Sequence, residues 1–86
     1  MLVRYTSTFK RMYRRLTPEQ QDLSDKAVQI FIKNPFHPQL RNHKLLGSKK
    51  SMRAISAGYD LRILYIEKDG HAVIFLLTIG THDKVY

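Results

Sequence analysis

Apolar residues recur along this chain in two rhythms, and the change of rhythm divides it. Leu2-Val3-Arg4-Tyr5-Thr6 is rich in β-branched and aromatic side chains and predicts a short opening strand. Phe9, Met12, Tyr13 and Leu16 then fall at i, i+3, i+4 and i+7, one face of a helix, with Lys10, Arg11, Arg14 and Arg15 around the rest. Thr17-Pro18-Glu19-Gln20 starts a second helix. Thr17 suits the N-cap, Pro18 the first helical position, and Gln20 completes a capping box. Leu23, Ala27, Ile30 and Phe31 repeat behind it at helical spacing. Asn34-Pro35 ends this helix, because a residue before proline is pushed out of the α region. The two helices thus form a hairpin joined at Leu16-Thr17.

Beyond the loop Pro35-Phe36-His37-Pro38, residues 39–51 show no period but hold Arg41, His43, Lys44, Lys49 and Lys50. From Met52 the period becomes two. Arg53, Ile55 and Ala57 alternate with Met52, Ala54 and Ser56. Gly58-Tyr59 permits a turn, and residues 60–67 predict a strand with Leu61, Ile63 and Tyr65 on one face and Arg62, Leu64 and Ile66 on the other. Asp69-Gly70 signals a hairpin. Residues 72–79 are apolar on both faces, as a covered central strand requires. Gly80 breaks that strand, and 81–86 reads as a polar tail with a terminal aromatic. The order β-α-α-β-β-β predicts an α+β fold, a helical hairpin on one face of a small, mostly antiparallel sheet. The other face has no obvious cover. If Arg62 points there, that face is a positively charged groove.

Composition narrows the partners. Eighty-six residues, 43% apolar and 26% charged, predict one globular domain over residues 1–86. The net charge is +8, and it is concentrated: residues 1–53 hold twelve Lys/Arg against three Asp/Glu, while 54–86 hold three against four. A surface of that kind attracts polyanions such as nucleic acid or an acidic protein; the plainer alternative is a solvated basic face. The chain has no cysteine, which removes disulfides, thiolate metal sites and a Cys nucleophile, and fits a reducing, cytoplasmic setting. The N-terminus carries no signal-peptide pattern, and the longest apolar run, 72–77, is far short of the ~18 residues of a membrane span, so no membrane partner is expected.

Four histidines are the groups that titrate near neutrality. His37 and His71 sit in loops and read as solvated. His43 lies in the basic segment, and His82 follows the covered strand, where a rigid element can position a site. No HExxH or paired-histidine spacing points to a metal, and no cofactor is expected. His, Asp, Tyr and many cations suit attack of an RNA 2′-hydroxyl on its own phosphate. The substrate supplies the nucleophile, and the protein supplies a base, an acid and cations against the phosphorane.

Several stretches together resemble a known family: Phe9-Lys10-Arg11, His43-Lys44-Leu45-Leu46-Gly47, Gly58-Tyr59-Asp60-Leu61-Arg62-Ile63-Leu64-Tyr65, and Gly80-Thr81-His82-Asp83-Lys84-Val85-Tyr86. Along its whole length the chain resembles the RelE/ParE toxin superfamily of bacterial toxin–antitoxin systems, and within it the RelE-like and YafQ-like mRNA interferases. The resemblance implies a microbial RNase-like fold, two helices on about four strands, with the groove on the uncovered face. It also implies ribosome-dependent, metal-independent cleavage of translated mRNA and neutralisation by an acidic antitoxin, the chain being a monomer or part of that complex. Carried over by position, His43, Asp60, His82 and Tyr86 match the family's site. His82 is then the general acid, Asp60 or His43 the base, Arg62, Arg53 and Lys49 or Lys50 the phosphorane clamp, Lys44 a further RNA-binding residue, and Tyr86 stacks on a base. One position departs: Ser56 stands where YafQ-like enzymes carry a histidine and many relatives an arginine. That leaves open a second reading, a non-nucleolytic, gyrase-directed ParE-like toxin or a degenerate binding member.

Overall fold

The computed structural model describes residues 1–49, 51–70 and 72–85. The candidates Lys50 and Tyr86, and the loop histidine His71, lie outside the described residues. The elements are β1 (Leu2–Tyr5), α1 (Ser7–Arg14), α2 (Pro18–Lys33), β2 (His43–Lys44), β3 (Arg53–Ser56), β4 (Leu61–Lys68), β5 (Val73–Thr81) and α3 (His82–Val85), with 3₁₀ turns at Pro38–Leu40 and Gly47–Lys49.

Both helix starts are capped as their sequences require. The Thr6 hydroxyl accepts from the Phe9 amide at 3.2 Å and donates to the Leu76 carbonyl at 2.8 Å, so it caps α1 and ties it to β5. Thr17 and Gln20 form the reciprocal capping box of α2. The five strands make one mixed sheet in the order β1-β5-β4-β3-β2, with β1 parallel to β5 and every other pair antiparallel. The expected fold class therefore stands: two helices on a mixed sheet. Three local features differ from the sequence reading. The two-residue β2 forms in the stretch without a period, because its register on β3 rather than its own composition selects it. β5 runs on through Gly80 to Thr81. The tail folds into α3, whose Val85 packs on Ala54 and Leu64, so the second face of the sheet is partly covered.

The main core lies between the helices and the sheet, where Phe9, Ala27, Val28 and Phe31 meet Ile55, Leu61, Ile63, Tyr65, Ile74, Leu76 and Ile79. Phe31 and Tyr65 meet edge to face, with centroids 4.9 Å apart. A bulge sets which residues of β5 complete this core. Leu64 pairs with Thr78 and Tyr65 with Leu76, so Leu77 is an extra residue on β5. Strict alternation from Ile74 and Leu76 would bring Thr78 into the core. The bulge resets the phase, so that Ile79 turns inward while Thr78 and Gly80 join the opposite face. Leu40, wholly buried, plugs the same core from its 3₁₀ turn and anchors the segment leading into β2.

Candidate functional site

Strand pairing decides which side chains share the face opposite the helices. Residues directly opposite one another point the same way. The register therefore sets Ser56, Arg62 and Gly80 in one row and His43, Ala54, Leu64 and Thr78 in the next. The second row is apolar at its centre, where Val85 sits on Ala54 and Leu64 with Leu45 and Met52 around it. The first row is half-buried at Ser56 and Arg62 and carries no side chain at Gly80. The Arg62 guanidinium donates from Nη1 to the Leu61 carbonyl at 2.9 Å, which holds it at the strand end.

Leu61 pairs with Thr81, and Asp60 and His82 each stand one residue beyond that pair. Both are exposed at the same end of the sheet. Asp60 sits in the β3–β4 turn, which Gly58 makes possible. Gly58 has φ +84°, and a Cβ there would come within 3.0 Å of Leu23 Cδ1. His82 opens α3 at the end of a rigid strand.

His43 lies on the exposed edge strand β2. Its Nδ1 is 2.9 Å from the Arg41 carbonyl. A carbonyl can only accept, so Nδ1 carries the proton and Nε2 is the basic nitrogen of the neutral ring. Lys44 pairs with Arg53 and so lies on the other side of this edge from His43. The Lys49 ammonium donates to the Val85 carbonyl at 3.0 Å, which satisfies the end of α3 and fastens the 47–49 turn beneath it.

Arg53 has a different setting from Arg62. It shares the face of Ile55 and Tyr65, on the helix side of the sheet. There its Nε donates to Asn42 Oδ1 at 2.9 Å and lies 3.8 Å from Glu67 Oε1, while the guanidinium covers the Phe36 ring at 5.4 Å. Asn42 in turn donates to the Tyr65 hydroxyl at 2.7 Å and to the Pro35 carbonyl at 2.9 Å. Burial pushes the Tyr65 phenol above its ordinary range, and the bond from Asn42 and the charge of Arg53 offset part of that. This network fixes the chain on which Arg41 and His43 stand.

The sequence reading did not single out a recess of about 300 Å³ beside Arg62, lined by Gln39, Arg41, Ser56, Gly58, Tyr59 and Arg62. Arg41 belonged to the basic segment already noted, but nothing in the local pattern said that Leu40 would anchor it against β3. Among the described residues no three His, Asp or Glu side chains converge as a metal site, and no helix is long and apolar enough to cross a membrane.

Comparison with known proteins places these observations. The family model for the bacterial toxin YafQ of type II toxin–antitoxin systems matches residues 1–86. No curated protein matches in sequence. Among solved structures the fold is similar to YafQ from E. coli, at TM-score 0.80 and 17% identity over 98% of this chain and 96% of that one. It is similar to the E. coli DinJ-YafQ complex, at TM-score 0.67 and 18% identity over 98% and 96%. It is also similar to the toxin–antitoxin complex RelBE2 of Mycobacterium tuberculosis, at TM-score 0.66 and 23% identity over 94% and 96%.

Proposed function

The chain belongs to the YafQ family of toxins of bacterial type II toxin–antitoxin systems, and on that premise we propose that it is a ribosome-dependent endoribonuclease acting on translated mRNA. The observation that carries this reading is the end of the sheet where Arg62, Asp60 and His82 gather around the Leu61–Thr81 pair. In-line attack by an RNA 2′-hydroxyl needs a base, an acid for the leaving 5′-oxygen and a cation on the non-bridging oxygens. His82 serves as the acid, Asp60 or His43 as the base, and Arg62 as the cation. The 2′-hydroxyl proton leaves to the base as its oxygen bonds to phosphorus. The 5′-oxygen departs with the proton from His82, leaving a 2′,3′-cyclic phosphate. Arg53 and Lys49 act on the site at one remove, by holding the Asn42 segment and the α3 terminus. Tyr86 completes the proposal as a base-stacking residue.

The partner in this reading is an acidic antitoxin, as the two toxin–antitoxin complexes of similar fold suggest. A groove of about 270 Å³ between α1, α2 and the edge of β1, lined by Tyr5, Phe9, Tyr13 and Val28, with Lys10 and Arg14 against the single acid Asp25, which Tyr13 engages, suits an amphipathic segment. The setting is then the cytoplasm, where ribosomes and message are found.

The deciding experiment is a purified translation reaction with a defined mRNA, with 5′ ends mapped by primer extension. The expected result is codon-spaced cleavage that needs the ribosome and falls by ~10²–10⁴ in His82→Ala. Intact message at a dose that arrests growth would overturn it. That outcome would favour the second reading, a gyrase-directed toxin, which the presence of Ser56 in place of an imidazole or guanidinium supports.

A further inference from the structure

The recess beside Arg62 has the features of a subsite. Its volume, about 300 Å³, falls at the lower end of small-ligand sites. Two of its six lining residues are arginines and none is acidic. A guanidinium offers a planar fork of donors that matches phosphate oxygens. Tyr59, on the rim, is 98% exposed, an aromatic ring that its own chain does not cover. Such a ring is a platform for a nucleobase, since every base has a π-face.

Arg41 is also held in place. It has φ +50°, and with Asp69 it is one of two non-glycine residues among the described ones in the left-handed region. That conformation is disfavoured for a side chain of this kind and persists where the surroundings impose it. Both neighbours impose it here: Leu40 is wholly buried, and Asn42 is hydrogen-bonded to Pro35 and Tyr65. The Arg41 carbonyl faces His43 Nδ1. One residue therefore lines the recess and, through its carbonyl, orients a candidate base.

We propose that this recess binds the nucleotide next to the scissile phosphate in single-stranded RNA, with its phosphate between Arg41 and Arg62 and its base on the Tyr59 ring. Gln39 lies where it can hydrogen-bond a base edge or ribose. The inference rests on the endoribonuclease reading for the role of the site, but not for the binding itself.

The test uses short 2′-O-methyl RNA, whose blocked 2′-oxygen cannot attack. Binding to the purified chain is followed by fluorescence anisotropy, with one methylphosphonate placed at each linkage in turn. Neutralising one particular linkage is expected to weaken wild type about 10-fold, in line with the loss of a charged contact. Arg41→Ala weakens binding of the unmodified RNA to a similar degree, becomes clearly less sensitive to that linkage because only Arg62 remains on the phosphate, and lowers the salt slope by about 0.7. Tyr59→Ala costs about 5- to 100-fold, while Tyr59→Phe, which keeps the ring, binds as wild type. Arg41→Lys keeps the charge without the fork, falls between wild type and Arg41→Ala, and serves if the alanine variant melts early. Arg41→Ala and Tyr59→Ala binding within 2-fold of wild type, or Arg41→Ala keeping the wild-type linkage sensitivity, would overturn the proposal. Linkage-specific binding by a chain that never cleaves message would sink the endoribonuclease reading and leave the subsite standing. Cleavage without that binding pattern would sink the subsite alone.

Discussion

Arg53 and Arg62 look equivalent in the sequence, two arginines on neighbouring strands, but the fold sets them on opposite faces of the sheet. Arg53→Ala removes three interactions. Loss of the bond to half-buried Asn42 leaves its carbonyl without that donor and costs about 1 kcal/mol, the low end for an unsatisfied group. Loss of the guanidinium over the half-exposed Phe36 ring costs ~0.5–1 kcal/mol. The ion pair with Glu67, long at 3.8 Å and about 20% exposed on each side, adds ~0.2–1 kcal/mol. Together these come to about 2–3 kcal/mol. A domain of this size loses ~4–8 °C of Tm per kcal/mol, so Arg53→Ala is expected to melt roughly 10–20 °C below wild type. Arg62→Ala forfeits one local bond to the Leu61 carbonyl, worth about 1 kcal/mol at most because the half-buried site admits water. It therefore melts within ~8 °C of wild type but loses ~10²–10³ in cleavage rate, as removal of one transition-state donor does. Circular dichroism melts and ribosome-programmed cleavage at 10 °C, where both variants are folded, separate the two effects. If Arg53→Ala melts with wild type and loses cleavage instead, the face assignment derived from the β3–β4 register is refuted.

Further expectations concern other parts of the molecule. Ser56→His returns an imidazole to the row of Arg62 and should raise cleavage at least about 10-fold if proton transfer limits the rate; a variant no faster than wild type means that this position is not in the proton path. Gly58→Ala places a Cβ at φ +84° against Leu23 and is expected to cost ~1–3 kcal/mol, read as a fall in Tm with Asp60 displaced from the strand end. Alkali should also destabilise the fold. Tyr13 donates to Asp25 at 2.8 Å, and that bond, with burial next, raises its pKa; burial does the same for Tyr5 and Tyr65. The unfolded chain loses these protons near pH 10, the folded chain higher, so their contribution is complete below pH 10 and declines as pH rises through the raised values. Tyrosinate absorbance at 295 nm followed with pH checks this: Tyr13→Phe should flatten the loss of stability above pH 10, and an unchanged alkaline midpoint would refute it.

The hairpin of α1 and α2 was legible because capping and helical period are local. Thr17-Pro18-Glu19-Gln20 and Asn34-Pro35 act on the backbone within a turn of themselves, whatever lies beyond. The strands at 53 and 61 announced themselves by alternation, the one at 73 by a run apolar on both faces, and His82 was singled out for following that strand. The face on which a residue ends depends on pairing, which is not local. The bulge at Leu77 reverses the phase of β5 beyond it, so Gly80 rather than Ile79 joins the row of Arg62. Register puts Arg53 with Asn42 and Glu67 while Arg62 faces the recess. β2, α3 and the seat of Leu40 have almost no signature of their own, because two to four residues cannot bury a face alone and form only against a surface already built. By itself, then, the sequence determined the longer helices and strands and the excess of basic residues. The tertiary structure decided which arginine faces the recess and which braces the fold, since each pleat sends neighbours to opposite sides and only strand pairing says which side is which.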